Sequence, residues 1–170
     1  MSDADLSTWA INRLEAHTRA LRSGDPALEA VRIVAQSKVY HSAEDRDTRL
    51  RWALLALNAN QRLHDDSPWA KARMLGHAFT LRTWVIEHFD PGTDPTWDPE
   101  TLATDTLLAL GADPAEVPAV DWRGLPVEEI GRLRRYKNLT AHLDRLISYL
   151  PPGATKDELA AWIQVRGRLP

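Results

Sequence analysis

Six of the eleven prolines directly follow an aspartate or a serine, at Asp25-Pro26, Ser67-Pro68, Asp90-Pro91, Asp94-Pro95, Asp98-Pro99 and Asp113-Pro114. Such a pair either opens a helix, where the polar side chain caps free backbone N–H groups and proline sits where its missing N–H costs nothing, or breaks one. A chain cut this often by cap-and-proline steps folds as a series of short helices. Strand signals are nearly absent. The one β-branched run, Val31-Arg32-Ile33-Val34, lies inside a helical pattern. The expected fold class is all-α, a compact bundle of six to seven helices, four before and three after a Pro/Asp-rich loop.

Apolar spacing of three and four places the helices. The first is expected from about Asp3 to Arg22 on Leu6, Trp9, Ala10, Leu14 and His17 or Leu21, with Gly24 as its stop. Asp25-Pro26 opens the second, with Leu28, Val31, Val34 or Ala35, and Val39 buried. Ser42 is expected to cap the third, whose stripe is Leu50, Ala53 or Leu54, Leu57 and Gln61. Ser67-Pro68 opens the fourth, with Ala72, Leu75, Ala78 or Phe79, Arg82 and Ile86 spaced along it. Asp98-Pro99 caps a fifth helix ending at Gly111, and one turn follows Asp113-Pro114. Pro126 opens a long sixth helix to about Leu150. Thr155-Lys156-Asp157-Glu158 reads as a capping box for the last.

Residues 90–99 hold three Asp-Pro pairs and a glycine, so they form a loop. The chain is one helical domain over 1–170, or two subdomains, 1–89 and 99–170, joined by loop 90–98. Trp97 favours a loop docked on the protein, since a free linker gives an indole nothing to pack on.

Charge and composition exclude several function classes. The net charge is −3, which argues against nucleic-acid binding by overall charge. It divides unevenly: residues 1–122 carry 12 basic against 19 acidic groups, net −7, and residues 123–170 carry 9 against 5, net +4. No cysteine is present, which removes disulfides, thiolate metal sites and a cysteine nucleophile. The polar start Met1-Ser2-Asp3-Ala4-Asp5 lacks the pattern of a secretory signal, and no apolar run is long enough to span a membrane. A cytoplasmic location is expected. Arginine outnumbers lysine 17 to 4. This resembles the codon bias of a high-GC genome and discounts any single arginine patch.

Metal and nucleotide motifs are missing. Di-iron bundles use Glu-x-x-His pairs that point two ligands inward from one helix face. The residues three before the six histidines are Leu14, Lys38, Gln61, Met74, Val85 and Leu139, none a carboxylate. No phosphate loop and no Gly-x-Ser-x-Gly occurs. Neither a metal nor a cofactor is expected.

One cluster points to chemistry. Arg135, Asn138 and His142 stand at i, i+3 and i+7, on one face of a continuous helix, with Arg132, Arg134 and Lys137 beside them. A cation, an amide and a histidine together can hold a phosphodiester and manage its proton. The segment Tyr136-Lys137-Asn138-Leu139-Thr140-Ala141-His142 resembles the signature helix of HEPN-type ribonucleases. That all-α family is recognised by an arginine, four to six residues, then a histidine, often with asparagine after the arginine. Arg135 and His142 have six residues between them, and Lys137-Asn138 is the other match, with lysine in place of arginine. The resemblance implies a metal-independent RNA site formed where two such helices meet in a homodimer. The plainer alternative makes the same residues a solvated helix face.

Seven tryptophans suit either core packing or an interface. Trp52, one step off the expected stripe and flanked by Arg49 and Arg51, marks a contact surface if exposed. The functional expectation is a non-enzymatic protein-interaction or regulatory module of a bacterial or phage accessory system. Its partner is another protein or a second copy, not a membrane. The alternatives are RNA binding or cleavage through the 132–142 basic face, and a helical DNA-binding regulator using the turn at Leu110–Val117. A further one is a small-molecule pocket lined by Trp84 and His77.

Overall fold

Seven helices of ten residues or more form the described chain, four before residue 90 and three after residue 98. No strand occurs among the described residues. The computed structural model describes residues 6–63, 68–89, 94–117, 121–141 and 143–170, with side chains in the 68–89 helix from Arg73 onward. The helices are α1 (Ile11–Ala20), α2 (Ala27–His41), α3 (Arg46–Leu63), α4 (Pro68–Phe89), α5 (Pro99–Leu110), α6 (Val127–Thr140), the one-turn α7 (Leu143–Leu146) and α8 (Ala154–Arg166). By internal contacts the chain divides into two units, Met1–Leu81 and Arg82–Pro170, and α4 runs through the division.

In the first unit α2 and α3 form a hairpin, and α1 packs on both. The α2 stripe is as the spacing predicts: Leu28, Val31, Val34, Ala35 and Val39 are buried. Asp25 caps the backbone N–H of Ala27 at 2.9 Å. Three expectations are corrected here. The expected first helix is interrupted: Leu6 is helical, residues 7–9 turn, and α1 begins at Ile11. Leu6 turns into the core, its carbonyl accepts the Trp9 N–H at 3.0 Å, and extended Ala10 restarts the chain. Residues 3–5 lie outside the described ones. The cap of α3 is Asp45, not Ser42. Asp45 takes the Thr48 N–H at 2.9 Å and its hydroxyl at 2.8 Å, and these bonds hold its carboxyl below the usual range. The Ser42 hydroxyl is engaged by Glu44. The buried stripe of α3 is Trp52, Ala53, Leu55, Ala56, Ala59 and Asn60. Leu54 and Gln61 of the expected stripe are exposed.

The second unit is built around α8, which contacts α5, α6, α7 and the single turns at Pro114–Glu116 and Ile147–Tyr149. Leu159, Trp162 and Val165 are its buried face. Asp98 caps α5 through the Thr101 N–H at 2.7 Å, with Pro99 following, and Gly111 closes it at φ 58°, a conformation glycine adopts without strain. Asp98→Ala is expected to cost about 1 kcal/mol. The readout is a lower urea midpoint at unchanged slope. Trp97 is buried, so its segment is docked. Arg82 fixes it by donating to the Thr96 carbonyl at 2.6 Å.

Two further expectations fail in this unit. The long helix to Leu150 stops at Thr140. The Thr140 carbonyl accepts from the Arg166 guanidinium at 2.9 Å, a donor that replaces the next backbone N–H. The capping box at Thr155 does not form. Helix α8 already starts at Ala154, so Thr155 lies inside it, and the Asp157 N–H bonds the Gly153 carbonyl at 3.0 Å.

Candidate interaction surface

Helices α1 and α3 are tied together at two points. Arg51 donates to Asn12 Oδ1 at 2.8 Å and to the Glu15 carboxylate at 3.0 Å. Nearer the helix ends, Arg62 donates to the Thr18 carbonyl at 2.8 Å and to that of Leu21. A cleft of about 260 Å³ lies along this pair. Leu54 and Leu55 supply its apolar lining; Leu54 is 44% exposed, Leu55 nearly buried. Glu15, Arg19, Arg51 and Asn58 supply the polar lining. An apolar centre with a charged and polar rim is the make-up of a protein-binding patch. The Thr18 hydroxyl also lines the cleft but is turned back to the Leu14 carbonyl at 2.7 Å.

The basic face of α6 is largely engaged with its own unit. Arg132 donates to Glu129 at 2.5 Å, and this bond raises its pKa. Lys137 donates to the Leu169 carbonyl at 3.1 Å. Arg135 is half-buried with its guanidinium 5.6 Å from the Tyr136 ring centre, and its Nε is buried without a hydrogen bond. Arg134 and Asn138 are exposed. His142 lies outside the described residues. Helix α6 itself ends at Thr140, so the face expected to join Arg135 and Asn138 to His142 reaches outside the described residues.

Compared with models of known families, with curated proteins and with solved structures, the chain finds no match.

The placement of the remaining candidates follows from packing. Trp52 is 0% exposed, with its indole N–H donated to Glu44 at 2.7 Å. It is a core residue and offers no contact surface. Its neighbour Leu54 does, because two helical steps of 100° carry it to the far side of α3. His77 lines a crevice in the first unit with Arg32, Gln36 and Asn60, too narrow for a water molecule. Trp84, in the second unit, stacks on His88 at 4.1 Å between ring centres. Among the described residues no three His, Asp or Glu side chains are grouped to hold a metal ion. None of the described helices is long and apolar enough to cross a membrane. For the DNA-binding alternative, residues 118–120 lie outside the described ones. Asp121 next caps a single turn, Trp122–Gly124, and forms an ion pair with Arg123.

Proposed function

We propose that the protein is a non-enzymatic protein-interaction module whose docking surface is the α1–α3 cleft. The observation that carries this reading is Leu54, a large apolar side chain 44% exposed on a cleft with charged and polar walls. The cleft is shallow and open at about 260 Å³, below the usual span of ligand pockets, roughly 300–1,000 Å³. It suits one or two side chains of a partner better than a whole small molecule. The RNA-acting alternative has less to draw on, since Arg132 and Lys137 already have partners within their own unit.

The test compares wild type with Leu54→Asp. Leu54 faces solvent, so the variant should keep its helix content by circular dichroism. Used as baits on one lysate of the source cells, the two should differ: proteins retained by wild type are lost on Leu54→Asp and kept by Arg134→Glu. Retention unchanged by Leu54→Asp would overturn the reading. RNA bound by wild type and lost with Arg134→Glu would turn attention to α6 instead.

A further inference from the structure

The cleft has a chemical complement on the same chain. Residues 98–116 hold five carboxylates, Asp98, Glu100, Asp105, Asp113 and Glu116, and no lysine or arginine. Within this stretch α5 exposes Glu100, Thr104 and Leu108. Their spacing of four places them in one outward stripe. Leu108 is 75% exposed, well beyond the 44% of Leu54. Asp105 is already paired with Arg82 at 3.2 Å, and the other four carboxylates leave the segment acidic around a protruding apolar side chain.

The first unit presents the opposite. Along α1 and the residues after it, Arg13, Arg19 and Arg22 face one acid, Glu15, over residues 11–22. Glu15 is already bound by Arg51 at 3.0 Å. Arg19 is exposed on the cleft wall, so the surplus charge there is positive, next to Leu54 and Leu55.

We infer that the occupant of the cleft is a second copy of this chain. Leu108 of one copy seats on Leu54 and Leu55 of the other, and the carboxylates around Leu108 other than Asp105 face Arg19. This deepens the interaction reading above and rests on it. The two surfaces differ, so every copy carries both halves of the contact. Opposite charges steer the encounter and make the association sensitive to salt.

The experiment is light scattering on size-separated protein over a wide concentration range at low and high salt. Wild type at low salt should rise from the 19.1 kDa of one chain toward at least twice that mass, and fall back in high salt. Leu54→Asp and Leu108→Asp should each weaken association by about thirtyfold or more, the loss typical of a central apolar contact. Arg19→Glu, which leaves both leucines in place, should weaken it a few-fold. The deciding sample is an equimolar mixture of Leu54→Asp and Leu108→Asp. The first keeps its Leu108 face and the second its cleft, so the mixture should form a heterodimer that neither forms alone. Wild type that stays at 19.1 kDa throughout overturns the inference, as does association that either leucine variant survives, or a mixture that stays monomeric. Leu54-dependent retention of a different protein from the lysate would then leave the interaction module standing with another partner.

Discussion

Replacing Trp52 by alanine is expected to destabilise the first unit by about 3–5 kcal/mol, the cost of emptying a fully buried indole site. Trp52 has no exposed surface, and its N–H is satisfied by Glu44 Oε2 at 2.7 Å. The same oxygen accepts the Ser42 hydroxyl at 2.7 Å, so one carboxylate joins the core to the α2–α3 turn. Removing the indole leaves a cavity in the core of the unit and takes one donor from that carboxylate. A small domain holds only about 5–15 kcal/mol in total, so the variant should unfold at far lower urea. Trp52→Phe keeps most of the volume and loses the hydrogen bond, and should cost about 1–2 kcal/mol. Urea titration followed by circular dichroism separates the two. A cost for Trp52→Ala below about 1 kcal/mol would contradict a core role, since emptying such a site costs several times that.

The same residue shows where reading from sequence succeeds and where it stops. Local chemistry is legible. Asp25, Asp98 and Asp113 cap their helices as the Asp-Pro pairs predict, and the α2 stripe follows a period that only one face satisfies. Helix α3 carries apolar residues on two faces. Leu50, Leu54 and Leu57 make one stripe, and Trp52, Leu55, Ala56 and Ala59 the other. Periodicity cannot rank two stripes, because the choice depends on what packs across from them. The indole and its Glu44 acceptor decide it here, and Leu54 is left on the cleft. The cleft is therefore not legible in the sequence: Leu54 reads only as a candidate for burial, and its exposure depends on the tertiary partner.

The arginines were less legible still, because their partners are distant along the chain. Arg62 caps α1 by bonding the Thr18 carbonyl, 44 residues away, and Arg166 caps α6 at Thr140, 26 residues away. Arg49 does the same for α2 at the Val39 carbonyl, with bonds of 2.9 and 2.6 Å. A helix C-terminus offers unpaired carbonyls and the negative end of its dipole, and a guanidinium answers both. No spacing rule reports such a pair. An arginine-rich sequence therefore looks more available for anions than its fold leaves it. The α6 cluster shows this within one turn: Lys137 holds the Leu169 carbonyl, while Arg134 one turn earlier is exposed.

Arg32 is the arginine whose environment predicts a pH effect. It lies on α2 only 8% exposed. Its Nε and Nη2 donate to the two Glu29 oxygens at 2.7 and 2.8 Å, and Nη1 donates to Gln36 at 2.8 Å. Gln36 in turn donates to the Tyr40 hydroxyl at 2.9 Å, and burial raises the pKa of that phenol. The Arg32 hydrogen bond, with smaller help from the charges of Arg32, His77 and Arg73, holds the Glu29 carboxyl below its ordinary value of 4.5. A carboxyl with a lower pKa in the folded state binds its proton more tightly when unfolded. Its stabilisation is thus present above pH 4.5 and is lost as pH falls through the lower, folded value. Glu29→Gln should therefore flatten the acid limb of the stability curve, leaving the parts due to Asp45 and Asp98. At neutral pH it should cost about 2–3 kcal/mol, under the ~3–5 of a fully buried pair because Glu29 is partly exposed. The cost arises from the guanidinium left buried without its counter-charge. A double variant that also replaces Arg32 by methionine should then recover part of the loss, and a double-mutant cycle in urea measures the coupling. Equal losses in the single and double variants would show that the carboxylate, and not the stranded cation, carries the stability of this pair.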